Sequence, residues 1–418
     1  MNMKKLSITS KLMSGAFALM TMLSMSSCSG LVDAIIGTED NPSGGSTTPT
    51  TVPGIPSDAK AKANPTLPDE ANTVIPNISY SVSSVSGATV VRFDMTGIQD
   101  PADPTKWVTL SGTGESDENI WVSIDGKAKG FKIVNTSETG STSSKVDLVF
   151  LVDNSGSMSE EADAIADQID AWATKLAGTM DIRFGIVGFG YNVGSEYEYL
   201  INDYGVAGAL NLTTADKVTA YLNRGGGYGV GRTVGYEGAD ADELRTIAQK
   251  DLYSKAGGEC GIQALRFADE NFSFRSGANR VYVMFTDDCN YPGGNPDISI
   301  DYVKDPLKWP TSKGTIHSVI SESKDELIRR TQEFVLNSEL PWLPSDFTGG
   351  TIKYAKWDFS DVTLEDLPVT GALQNSYYID ITDVDSLFDG KAHVVKVTVL
   401  SPNGTIRAER EFTMIFTK

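Results

Sequence analysis

The stretch KVDLVFLVDNSGSMSEE, residues 145–161, decides the fold. Its first part is a nearly unbroken apolar run, the pattern of a strand buried on both faces, and such strands belong to mostly parallel sheets with helices on each side. The run stops at Asp153. Ser155 and Ser157 follow at alternate positions in the turn, and Gly156 lets the backbone bend tightly enough for the carboxylate and both hydroxyls to face one point. The next segment, EEADAIADQIDAWATKLAG, places Ala162, Ile165, Ala166, Ile169, Trp172 and Leu176 on one helical stripe.

The alternation continues outward. DIRFGIVGF (181–189), NRVYVMFTDD (279–288) and KGTIHSVI (313–320) read as strands, and GIQALRFADENF (261–272) and KDELIRRTQEFVLNS (324–338) as helices. This order predicts a doubly wound α/β domain over 144–372, a mostly parallel sheet with helices on both faces, whose ligands gather at the carboxyl ends of the strands. Two long connections, 223–243 and 289–313, read as functional surface near that edge.

The flanks carry a different pattern. Short β-like segments punctuated by Gly, Pro and Asp fill 74–143 (ISYSVSSV, ATVVRFDMTG, KWVTLSGTG, NIWVSID, GFKIVNTS), and three more (SYYIDITDV, HVVKVTVL, AEREFTMIF) fill 373–418. Neither flank is long enough for a comfortable sandwich alone. They are therefore expected to pack together as one β-sandwich, in two parts, with the central domain inserted between them.

Asp153, Ser155 and Ser157 are hard oxygen donors, suited to Mg²⁺, Mn²⁺ or Ca²⁺ and poorly suited to zinc. Asp287 ends a second strand at the same predicted edge. DNSGS resembles the DxSxS signature of the von Willebrand factor type A domain, whose metal-ion-dependent adhesion site adds a Thr or an acid from a second loop and an Asp from a third. The third-loop Asp matches Asp287. In the second loop, AGGECGIQAL, Glu259 stands where many members carry Thr, which is similar to the integrin β-subunit version of the domain. The resemblance covers roughly 145–370. It implies a divalent cation held by Asp153, Ser155, Ser157, Glu259 and Asp287, with an open position for the acidic side chain of a protein partner. It also implies an adjacent metal position at Glu160 and Glu161, and, if loops two and three face one metal, a disulfide between Cys260 and Cys289.

The third cysteine belongs elsewhere. Lys4, Lys5 and Lys11, an apolar segment and SMSSC resemble a bacterial lipoprotein signal, which implies a signal peptide over 1–28 and lipidation of Cys28, hence anchoring to a lipid bilayer. Residues 29–73, rich in Pro, Ser, Thr and Gly, read as a disordered tether. The formal net charge of -20, from 35 basic and 55 acidic residues, speaks against nucleic acid as a partner.

A serine nucleophile needs a nearby base. The two histidines, His317 and His393, lie in β-like segments with no acid or nucleophile pattern around them, so no enzyme is expected. The expected function is that of an outer-membrane lipoprotein, exposed at the cell surface or facing the periplasm, that binds a protein ligand through a divalent metal. The alternative is a structural envelope or scaffold protein in which the metal only stabilises the domain.

Overall fold

The computed structural model describes residues 52–137, 145–158, 161–192, 204–224, 229–333, 338–356, 363 and 365–418. The signal segment, Cys28, Glu160 and the first half of the expected tether lie outside these residues.

The first flank supplies β1 (Ile78–Val85), β2 (Ala88–Met95), β3 (Ile120–Ile124), β4 (Lys127–Ala128) and β5 (Phe131–Asn135). The chain then enters β6 (Lys145–Asp153), α1 (Glu161–Ala177) and β7 (Asp181–Phe189), all three where the apolar patterns put them. A short ribbon follows, β8 (Tyr191–Asn192) with β9 (Tyr204–Gly205), and then β10 (Gly208–Thr213), α2 (Ala215–Leu222), β11 (Gly235–Glu237), α3 (Ala241–Ala248) and α4 (Asp251–Ser254). Next come α5 (Gly261–Asn271), β12 (Asn279–Thr286), α6 (Asp301–Lys304), β13 (Thr315–Ile320), α7 (Lys324–Glu333), α8 (Leu343–Thr348), β14 (Ile352–Tyr354) and α9 (Pro368–Gln374). The second flank supplies β15 (Tyr377–Ile381), β16 (His393–Leu400) and β17 (Arg407–Met414).

The central sheet has seven strands in the order β11-β10-β7-β6-β12-β13-β14. All pairings are parallel except β10 with β7. Because successive side chains of a strand point to opposite faces, β6 feeds two cores. Leu148, Phe150 and Val152 pack with the apolar stripe of α1, where the Phe150 ring lies 5.7 Å from Trp172. Val149 and Leu151 pack on the other side with Ile262, Leu265 and Phe267 of α5. The sheet is thus a largely parallel layer flanked by helices.

The flanks form two four-stranded sheets, β1-β2-β15-β5 and β17-β16-β3-β4, so each sheet mixes strands from both ends of the described chain. Phe93, Val122, Ile379 and Val397 share a single apolar cluster. Of the expected strands, KWVTLSGTG is not one: its only pairing is the isolated bridge of Trp107 with Gln99. Residues 57–72, part of the segment whose composition reads as a tether, lie along these sheets. The Asp58 carboxylate binds Lys129, the Asn64 amide donates to Thr398 Oγ1 at 3.0 Å, and Asn72 exchanges backbone and side-chain bonds with Arg407. Isolated polar side chains anchor this strap, a signal that average composition does not carry.

The flank meets the central sheet at the amino ends of its strands. The Asn77 amide donates to the carbonyl of Gly314 just ahead of β13, and a Cβ on Gly277, just ahead of β12, would stand 2.8 Å from the Ser81 Cβ of β1. The carboxyl ends of β6 and β12, and the loops that follow them, are left at the opposite edge.

Candidate functional site

Three loops meet at that edge. In the first, Asp153 is fully buried at the last position of β6, and the Ser155 N–H donates to its Oδ1 at 2.9 Å, which closes the turn. The Ser155 and Ser157 hydroxyls lie 2.9 Å apart. In the third, the Thr286 hydroxyl at the end of β12 donates to Asp153 Oδ2 at 2.8 Å and ties the two strand ends together. Asp287 follows and is hydrogen-bonded to Ser157, while its Oδ1 is buried with no hydrogen-bond partner.

The second loop brings Glu259 to the same place. A Cβ built on Gly190, just after β7, would stand 2.6 Å from Asp153 Oδ1 and 3.4 Å from Glu259 Cγ, so backbone and both acids crowd one point. Gly190 also has φ +76, a conformation that glycine adopts without strain. The five residues expected from the sequence therefore converge.

Their electrostatics are unfavourable as they stand. Burial, with Glu259 and Asp287 close by, holds Asp153 well above the ordinary carboxylate range. Burial pushes Glu259 up to about 7, helped by Asp288 and Asp287. Asp287 is raised chiefly by burial too, against the pull of the Ser157 hydrogen bond and of Arg330. The Arg330 charge opposes the rise at Glu259 and Asp287, while its guanidinium pairs with Asp288 at 3.0 Å.

An orphaned carboxylate oxygen, paired hydroxyls and crowded acids fit a hard divalent cation. Among the described residues no three His, Cys, Asp or Glu side chains stand close enough to hold a metal ion by themselves. A cation here would draw on the Ser155 and Ser157 hydroxyls as well as on carboxylates.

The expected disulfide is absent: Cys260 and Cys289 are separate buried thiols. Cys260 packs with Ala256 and Ile298 and donates to the Ile298 carbonyl at 3.4 Å. Cys289 packs with Ile320, Leu327 and Trp342 and donates to the Leu327 carbonyl at 3.6 Å. Loop proximity is real, but the two side chains enter different apolar clusters. Backbone bonds from Tyr291 join the loops instead: its N–H donates to the Glu259 carbonyl at 2.8 Å, and its carbonyl accepts from Gly257 N–H at 2.9 Å. Gly258 leaves room for the ring, since a Cβ there would come within 3.0 Å of Tyr291 Cγ.

Glu161 is buried and accepts from the Ser321 hydroxyl at 3.3 Å. The long connection 223–243 reaches the site through Thr233, whose hydroxyl donates to Asn154 Oδ1, and Arg232 ties the same connection to Asp167 of α1 at 2.6 Å. Thr233, Gly190 and Tyr291 carry no periodic or motif signal: Gly190 and Tyr291 act through the backbone geometry of a loop, and Thr233 through a single hydroxyl. Neither histidine stands beside Ser155 or Ser157. His317 Nδ1 accepts the Thr351 N–H at 3.0 Å, and His393 lies between Asp125 and Asp389 at 2.7 and 3.1 Å. Among the described residues no serine hydroxyl of this site has a histidine base.

Fold and site together define an α/β domain with an oxygen-rich three-loop cluster at the carboxyl edge of its sheet. No protein-family model matches the chain, and no curated protein does. Weak structural likenesses exist. Proximal thread matrix protein 1 from the mussel byssus is 12% identical over 59% of this chain and 49% of its own, with a TM-score of 0.29. The conserved hypothetical protein BatB from Bacteroides thetaiotaomicron is 11% identical over 55% of this chain and 96% of its own, at 0.29. Manganese-loaded Plasmodium vivax TRAP protein is 12% identical over 68% and 96%, at 0.27. The chain spans about half the length of the mussel protein. Among the described residues no helix is long and apolar enough to cross a membrane.

Proposed function

We propose that the three-loop edge is a metal-dependent adhesion site of the von Willebrand factor type A kind, which binds a protein ligand. Asp153, Ser155 and Ser157 hold a Mg²⁺, Ca²⁺ or Mn²⁺ ion, with Glu259 and Asp287 supplying further oxygens. The cation neutralises the crowded acids and offers a Lewis-acid position to a carboxylate oxygen of the partner. The chain is a binding protein rather than an enzyme. It is carried on a bacterial outer membrane by a lipid on Cys28, at the cell surface, with the central domain inserted between the two parts of a β-sandwich.

The observation that carries this reading is the buried, unpartnered Asp287 Oδ1 beside Ser157, within a group of acids driven toward protonation. A buried polar atom without a partner is costly, and a cation removes that cost. A second reading, a scaffold in which the ion only stabilises the domain, draws on Asp153, both of whose oxygens already accept hydrogen bonds. Ligand capture with and without EDTA separates the two. Adhesion predicts capture that EDTA and Asp153→Ala both abolish; the scaffold predicts unchanged capture with a lowered Tm.

A further inference from the structure

Glu339 is a buried acid outside the proposed cradle, with no Lys or Arg ion pair among the described residues. Glu339, in the connection between α7 and α8, is 7% exposed, and its carboxylate collects donors from three places. Oε1 accepts from the Ser299 hydroxyl, and Oε2 accepts from the Ile300 N–H at 3.1 Å and from the Asn290 side-chain amide at 2.6 Å. Burial raises its pKa, and these donors oppose the rise.

Asn290 is the informative partner. Its backbone N–H donates to the Glu339 carbonyl at 2.9 Å, so the pair is joined twice. Its side-chain Oδ1 accepts the Ile262 N–H at 3.2 Å in the first turn of α5, three residues beyond Glu259. The next residue, Tyr291, donates its N–H to the Glu259 carbonyl. Asn290 itself lies three residues beyond Asp287. Both second-loop and third-loop acids therefore hang on a residue whose orientation Glu339 fixes.

We infer that Glu339, acting through Asn290, is the positioning residue that sets the second and third loops against each other and holds Glu259 and Asp287 in register for a cation. The inference rests on the proposed cation site. An amide is well suited to this place because it accepts from α5 with one atom and donates to Glu339 with the other. Outer partners that orient metal-binding groups commonly change affinity by about tenfold to a hundredfold when they are lost.

The test uses the full chain in detergent and titrates Mg²⁺ by calorimetry, with Tm measured in parallel in EDTA. Asn290→Asp keeps the acceptor for Ile262 and replaces the amide that donates to Glu339 and to the Ile298 carbonyl, at 3.0 Å, with a negatively charged oxygen. It is expected to weaken Mg²⁺ binding by about tenfold or more. Glu339→Gln alone keeps an oxygen for the Asn290 amide and the Ile300 N–H and sets its own amide beside the Ser299 hydroxyl, which rotates to accept, so its affinity is expected to stay within a few-fold of the parent. A parent chain that binds no Mg²⁺ defeats the cation site itself. If the parent binds, unchanged affinity in N290D, or a loss in E339Q as large as that in N290D, overturns the positioning role alone. A lowered Tm with unchanged affinity also overturns it, because that is the signature of a purely structural contact.

Discussion

β6 buries an aspartate near each end, and the two are treated in opposite ways. Asp147, near its amino end, receives the Arg275 N–H and the Arg275 Nε, each at 2.7 Å, and the same guanidinium reaches Asp181. Asp153, at its carboxyl end, receives a backbone N–H and a hydroxyl, while its charged neighbours are Glu259 and Asp287. One strand thus carries a neutralised carboxylate and a crowded one. Both are wholly buried, so depth does not separate them. The difference lies in the neighbours: an arginine at one end completes the structure, and acids at the other leave an excess of negative charge that the proposed cation would neutralise.

That contrast predicts mutations of opposite sign. The largest effect belongs to Arg275→Ala, which strands Asp147 and Asp181 and is expected to cost about 3–5 kcal/mol in denaturant titration. A loss within measurement error would show that Asp147 needs no counter-charge and would remove one side of the comparison.

A third buried ionisable group, on the next-to-last strand of the sheet, sharpens it. His317 on β13 has no charged partner, and burial lowers its pKa to about 3. Its Nδ1 accepts from Thr351, so the ring proton sits on Nε2 and the ring is neutral. The folded value lies below the ordinary value of 6.5, so the unfolded chain binds the proton more tightly. This contribution to stability is complete above pH 6.5 and falls as the pH drops toward 3, by at most about 1.4 kcal/mol per pH unit. His317→Gln should remove that slope in a pH series of urea titrations. An unchanged slope would mean that the imidazole is protonated in the fold.

The smallest effect has the opposite sign. Asp153→Asn in EDTA removes one of three crowded acids and is expected to raise stability by about 1 kcal/mol. Destabilisation of that variant would mean that Asp153 is a structural group like Asp147.

Much of this molecule is legible in the sequence because its central strands are buried on both faces. Continuous apolar runs locate β6, β7, β12 and β13, and a helical stripe locates α1. The same runs end at Asp153 and Asp287, so two corners of the site come with the strands. Glu259 comes from the motif, since nothing in its own segment marks it. The stretch from Gly208 to Ala248 is less legible. β11 has three residues, too few to show a period, and β10 (GALNLT) breaks its apolar residues with Gly, Asn and Thr, so it has no continuous run. β14 and α9 are short for the same reason. The cysteines teach a different lesson: sequence neighbours of two converging residues share a loop but not a direction, and Cys260 and Cys289 leave their loops toward separate cores. Tyr291 and Asn290 join those loops through backbone and amide hydrogen bonds, which leave no compositional trace.

The most direct test of the account is a Mg²⁺ titration of the full chain against its Asp153→Asn variant, with binding heat and Tm read on the same samples. A cation site built on Asp153 predicts saturable binding and a Tm raised by Mg²⁺ in the parent, and neither in the variant. Equal binding in both, or no binding in the parent, would contradict it.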